Sequence, residues 1–204
     1  MNEQQETRPL FPHALVDWAG SHAGGVKRLF DRHSCRPAKD LLKTNLLVRL
    51  ESWATSLAVG DPVCPRVVLL VGGPGNGKTE AIESTIRWLD ASLQCDGRLV
   101  DELARSFHQT GGIPRGVKAD AGVLSRTPRD LRLSIVQDAT ATVGWEGVPA
   151  AKLLIDELLG LVGSHGPDIY LCCVNRGVLD DALIHALDNR LDAPRKVLEA
   201  ITRA

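Results

Sequence analysis

Residues 72–79 read Gly-Gly-Pro-Gly-Asn-Gly-Lys-Thr and follow directly on the apolar run Val67-Val68-Leu69-Leu70-Val71. The spacing is G-x-x-x-x-G-K-[ST], with Gly72, Gly77, Lys78 and Thr79 at the fixed positions. Such a loop needs a strand to deliver it and a helix to leave it. The run before it reads as a buried-type strand, and Ala81, Ile82, Ile86, Leu89 and Leu93 behind it keep helical spacing. A glycine-rich hairpin that happens to hold a lysine would show no such context. Glycines let the backbone curl until successive N–H groups face one anion. Lys78 adds a point charge for β- and γ-phosphates, and the Thr79 hydroxyl suits Mg²⁺. The helix adds its positive end. The expected ligand is therefore a nucleoside triphosphate with Mg²⁺, held by Gly72, Gly73, Pro74, Gly75, Asn76, Gly77, Lys78, Thr79 and Glu80.

The rest of the chain supplies strands and helices in alternation, with an expected N-terminal helical region over 1–62 and a nucleotide-binding core over 63–204. Leu41, Leu42, Leu46, Leu47, Leu50, Trp53, Ala54 and Leu57 predict a helix within 38–57, stopped by Gly60-Asp61-Pro62. Strands are expected at 66–71, 131–142, 151–155 and 168–174. Helices are expected at 77–94, 99–107, 157–162, 179–191 and 195–203. The Gly-, Pro- and Arg-rich stretch 110–129 reads as a long loop. This order predicts an α/β fold, a three-layer αβα sandwich on a mainly parallel sheet.

Two further patterns bear on chemistry. Lys152-Leu-Leu-Ile-Asp156-Glu157 reads as a strand ending in two acids. In a parallel sheet that end faces the ligand, so Asp156 would support Mg²⁺ through water and Glu157 would polarise the attacking water. The competing reading is a pair of acids opening a helix. The strand 168–174 ends at Asn175, whose amide would sense the γ-phosphate; an asparagine opening an Asn-Arg-Gly turn is the plainer alternative.

Phosphate loop, Leu-Leu-Ile-Asp-Glu and strand-Asn, in this order, resemble the AAA+ ATPase family. So does Asn175-Arg-Gly-Val-Leu-Asp-Asp-Ala-Leu183, which is similar to that family's segment after its first sensor. The resemblance spans about 63–192. It implies ATP hydrolysis with Lys78, Glu157 and Asn175 in catalytic roles. It also implies an arginine finger at Arg190 acting on ATP bound by a neighbouring subunit, hence a homo- or hetero-oligomer. The family continues into a helical lid with a second sensor arginine. Only Arg176 to Ala204 follow Asn175 here, so the expectation is either a lid outside this chain or a reduced or truncated member.

The expected activity is an ATPase motor or switch acting on a protein or nucleic acid. The alternatives are a nucleotide-binding scaffold with little turnover and a small-molecule kinase. No Asn-Lys-x-Asp motif supports a GTPase. A formal charge of −1 gives no bulk pull toward nucleic acid or an acidic membrane. Basic residues do gather over 22–49 and 105–132, where a nucleic-acid contact and a substrate-engaging loop are the sharper readings and solvated surface the plainer ones. Asp138 and Thr140 are candidates to restrain Glu157. Five cysteines without a C-x-x-C pair, a polar N-terminus and no long apolar run predict a cytoplasmic chain with reduced thiols and no membrane contact. Cys172 and Cys173 are expected as core fillers on opposite faces of a strand, and the histidines show no metal-ligand spacing.

Overall fold

The computed structural model describes residues 29–30, 43–73, 75–108, 114–126, 130–162 and 168–202. Pro74 and the start of the helix predicted from Ala38 lie outside the described residues, as does most of the basic stretch 22–49.

The elements run α1 (Asn45–Val59), β1 (Val67–Val71), α2 (Lys78–Ser92), α3 (Arg98–Phe107), β2 (Gly116–Asp120), α4 (Ala121–Leu124), β3 (Arg132–Val136), α5 (Ala150–Val162), β4 (Asp168–Val174), α6 (Arg176–Asp188) and α7 (Asp192–Thr202). The four strands form one open sheet in the order β1-β4-β3-β2. β4 lies parallel to β1, with Val67 opposite Tyr170 and Val71 opposite Val174. It is also parallel to β3, with Arg132 opposite Asp168 and Val136 opposite Cys172. Only β2 runs antiparallel, against β3.

Helices cover both faces of this sheet. On one face Leu50, Trp53 and Leu57 of α1, Ile82 and Ile86 of α2 and Leu103 of α3 pack with Leu133, Ile135, Leu171 and Cys173. On the other, Leu154, Ile155 and Leu158 of α5, Ala182 and Ala186 of α6 and Leu198 of α7 pack with Val136, Tyr170, Cys172 and Val174. Two aliphatic cores separated by a mostly parallel sheet are compatible with the αβα sandwich. Alternation along β4 sends Cys172 and Cys173 to opposite cores, both buried, as their adjacency in a strand requires. The Trp53 indole donates to the Pro65 carbonyl at 2.8 Å and so fastens α1 to the chain entering β1. Among the described residues no helix is long and apolar enough to cross a membrane.

Three segments differ from the sequence expectation, the first being the strand expected over 131–142, which ends at Val136 and gives way to a turn over 138–141. Residues 151–155 are not a strand but the first turns of α5. Ala151, Leu154, Ile155 and Leu158 are buried at helical spacing, whereas Lys152 and Asp156 face outward. A short apolar run cannot be told from a buried helix by periodicity alone, and Ala, Leu, Lys and Glu are strong helix formers. The stretch 110–129, read as a loop, contains β2 and α4. Only Val117 and Ala119 of β2 face inward, so the hydrophobic signal there is two small side chains among polar ones.

Candidate functional site

Three chain segments leave the sheet at the same edge. The Gly72 amide donates to Val174 O at 3.2 Å, which carries the β1–β4 ladder one step into the glycine-rich loop. From the other side Ala139 N donates to Cys173 O at 2.9 Å. The loop after β1, Asp138 after β3 and Asn175 after β4 therefore emerge side by side, with β4 between the other two. Adjacent strands sit about 4.8 Å apart, so groups at the tips of β1 and β3 lie within reach of one small ligand. This is the carboxyl edge, where open α/β sheets hold ligands.

Gly75 and Gly77 have φ of 78° and 73°, a backbone region that side-chain-bearing residues rarely adopt. The turn they make folds Lys78 back across the loop, where Nζ donates to Gly72 O at 2.7 Å and Gly73 O at 2.6 Å. Lys78 opens α2, so Thr79 and Glu80, both half-buried, fall in its first turn. Across the edge, Asp138 Oδ1 accepts from Thr140 N at 2.9 Å and Thr140 Oγ1 at 2.7 Å. Cys173 lies on β4, the strand between β1 and β3. Burial pushes its thiol up to about 12, the Lys78 ammonium pulls it down and the Asp138 carboxylate raises it. Asn175 caps α6, its Oδ1 accepting from Val178 N at 2.8 Å, which leaves the amide nitrogen as a donor at the edge.

Comparison of the chain with protein-family models, curated proteins and solved structures finds no match.

The acid pair at 156 and 157 does not stand at a strand tip. Asp156 lies on the exposed face of α5 and pairs with Lys152 at 2.6 Å, one helical turn away. Glu157 faces the sheet. It accepts from Arg115 Nε at 2.7 Å and Nη2 at 3.1 Å, and from the Tyr170 hydroxyl. Tyr170 sits opposite Val67, the first residue of β1. Glu157 thus reaches the carboxyl edge only through Arg115, whose remaining Nη1 bonds the turn after β3. The restraint on Glu157 foreseen for Asp138 and Thr140 comes instead from Arg115 and Tyr170. Arg190 lies in the exposed turn behind α6. The 13-residue helix carries it about 20 Å from Asn175, beyond reach of its own chain's loop.

Arg115 and Tyr170 join the candidates, and no sequence motif marks either residue. Arg115 is 5% exposed, and its Nη1 also donates to the Ala139 and Ala141 carbonyls. Burial works against its charge, but the hydrogen bonds and charge of Glu157 outweigh this and raise its pKa. Burial foremost, then the nearby Cys172 and Glu157, holds the Tyr170 hydroxyl well above its ordinary value. A lone arginine in a Gly- and Pro-rich stretch gives no sequence signal of such a partner. Asp138 was legible: it follows Leu133-Ser-Ile-Val136-Gln, a strand ending in an acid, the same logic first applied to Asp156.

Proposed function

We propose that this chain binds a magnesium nucleoside triphosphate, ATP by its resemblance to the AAA+ core, and uses it to switch contacts with a protein or nucleic-acid partner. The observation that carries the reading is the emergence of the glycine-rich loop with Lys78 and of the Asp138 turn on either side of the β4 tip at the carboxyl edge, the loop's turn demanding glycine. The loop amides and the N-terminus of α2 would receive the phosphates, with Lys78 exchanging its carbonyl partners for phosphate oxygens. Thr79 and Asp138 fit Mg²⁺, which keeps most of its water and needs few protein ligands. Among the described residues no group of three or more His, Cys, Asp or Glu side chains is assembled, as a dedicated metal cage would require. Bound Mg²⁺ supplies neutralisation of phosphate charge. In this reading Asp138 takes the part first given to Asp156, and Glu157 anchors Arg115 instead of polarising water.

One observation favours a second reading, a switch with little intrinsic turnover. Ala139 follows Asp138, so the β3 tip offers no second carboxylate to prepare water. Asn175 would remain as a donor toward the γ-phosphate, and Arg190, exposed behind α6, would act on a neighbour's nucleotide rather than its own. Hydrolysis would then require assembly.

Titration of the intact chain with a fluorescent ATP analogue tests the core claim. Lys78→Ala removes a charge-assisted contact of about 1.5–3 kcal/mol and should weaken binding roughly ten- to a hundredfold. Unchanged affinity would remove the phosphate loop from the argument. Phosphate release measured against protein concentration separates the two readings. A rate per chain that climbs with assembly supports the shared arginine, and no release at any concentration supports the low-turnover switch.

A further inference from the structure

Arg115, Glu157 and Tyr170 form a partly buried chain of contacts that ends on the turn carrying Asp138, and nothing in the phosphate-loop reading uses it. The order of contacts is directional. The Tyr170 hydroxyl donates to Glu157 Oε2. Glu157 takes the guanidinium of Arg115 as a two-point fork, at 2.7 and 3.1 Å. The remaining Nη1 donates to the carbonyls of Ala139 and Ala141. Those two carbonyls bracket Thr140, the residue whose N–H and hydroxyl hold Asp138 Oδ1. The same turn is closed by Ala141 N donating to Asp138 O at 3.0 Å, and is tied to the central strand through Ala139 N and Cys173 O.

Arginine suits this post better than lysine. Its planar fork satisfies a carboxylate with two N–H groups and still has a third direction for carbonyls, whereas an ammonium is a single compact donor group. A buried ion pair of this kind is weak evidence for stability, because desolvation offsets its attraction. Its value lies in holding one geometry. Without Arg115, two carbonyls on the buried side of the turn would lose their donor, and the Asp138 carboxylate would sample orientations away from the edge.

We propose that Arg115, fixed by Glu157 and Tyr170, is a positioning residue that holds the Asp138 turn in the orientation from which its carboxylate serves Mg²⁺ on the bound nucleotide. This rests on the phosphate-loop reading and adds to it the element that sets the metal side. The two sides of the site are built separately. The glycine loop and Lys78 hang from β1 and α2, while the Asp138 turn hangs from β3 and is braced from β4 and α5. Disturbing the brace should therefore affect metal-assisted binding and spare metal-free binding.

The experiment measures the affinity of the intact chain for a fluorescent ATP analogue in EDTA and in Mg²⁺, with urea unfolding in parallel. Tyr170→Phe deletes one hydroxyl and keeps the ring. Arg115→Lys keeps the charge and loses the fork. Both should bind as the parent does in EDTA and lose about three- to tenfold of the tightening that Mg²⁺ brings, Arg115→Lys more than Tyr170→Phe. Equal weakening in both buffers, or full Mg²⁺ tightening in the two variants, would reduce the brace to a structural contact and overturn the inference. Should Arg115→Lys fail to fold, Tyr170→Phe decides alone. A parent chain that binds no nucleotide would instead defeat the reading of the site itself, so the two failures are distinct.

Discussion

Asp138 and Asp156 are two carboxylates that compete for one role, and their surroundings separate them. Asp156 has Lys152 one turn away on a solvated helix face, a pairing worth a few tenths of a kcal/mol. Asp138 spends one oxygen on Thr140 and stands at the carboxyl edge beside the β4 tip. Asp138→Asn should therefore abolish most of the tightening of nucleotide binding by Mg²⁺, whereas Asp156→Asn should leave it within about twofold. Titrations of the two variants with and without Mg²⁺ check this, and the reverse ranking would restore the pair at 156 and 157 as the metal side. At this scale the sequence was legible wherever a residue's role depends on neighbours along the chain. The loop is such a case, since Gly75 and Gly77 take their left-handed φ within a single turn. Asn175 is another: it ends β4 and caps α6 through Val178, three residues on. The Arg115–Glu157 fork joins positions 42 apart in sequence, and no local pattern announces it.

Elements whose hydrophobic period is unambiguous are readable in advance, and α5 shows where that stops. β4 was placed at 168–174 because Ile-Tyr-Leu-Cys-Cys-Val is apolar throughout, as a central parallel strand buried on both faces must be. Leu153-Leu154-Ile155 looks the same over three residues, and only Leu158, one turn later, discloses the helix. Reading that element as a strand moved two acids from a helix to a strand tip. Gly160 offers a test of the helix itself. It lies exposed within α5, and a β-carbon built there meets nothing within 4 Å. Gly160→Ala should raise stability by about 0.5–1 kcal/mol, because alanine spares the backbone entropy that glycine loses in a helix. Urea unfolding reads this directly, and a destabilised variant would contradict the helical assignment. The Leu29–Phe30 contact is a counterexample that no period foretells. Leu29 N donates to Gln137 Oε1 at 3.0 Å and Phe30 N to Glu83 Oε1 at 2.7 Å, which pins a distant segment between β3 and α2.

For the whole molecule, β4 is the axis: it pairs on both sides, its tip carries Asn175, and its side chains divide the two cores. Three of those side chains are ionisable groups kept neutral. Burial drives the Cys173 thiol to about 12 and Cys172 higher still, and lifts the Tyr170 hydroxyl well above its usual range. The direction of the linkage follows from who holds the proton. Unfolded thiols ionise near pH 8.5 and an unfolded tyrosine near pH 10, while the folded chain retains all three protons to higher pH. The folded state therefore binds more protons in this window, and stability falls as pH rises. Below about pH 8.5 the contribution is intact. Above it each thiol removes about 1.4 kcal/mol per pH unit, for Cys173 until its folded value of about 12 is passed. Because the groups lie on both faces of one strand, ionising any of them strains the single element that joins the cores, so the loss should appear as one cooperative transition and not as separate unfolding of two layers. Urea midpoints at pH 7, 8, 9 and 10 should be level at first and then drop. In Cys172→Ala/Cys173→Ala the chain should start lower, since two buried side chains are truncated, but descend less steeply. An equally steep descent in that variant would locate the alkaline sensitivity away from the central strand.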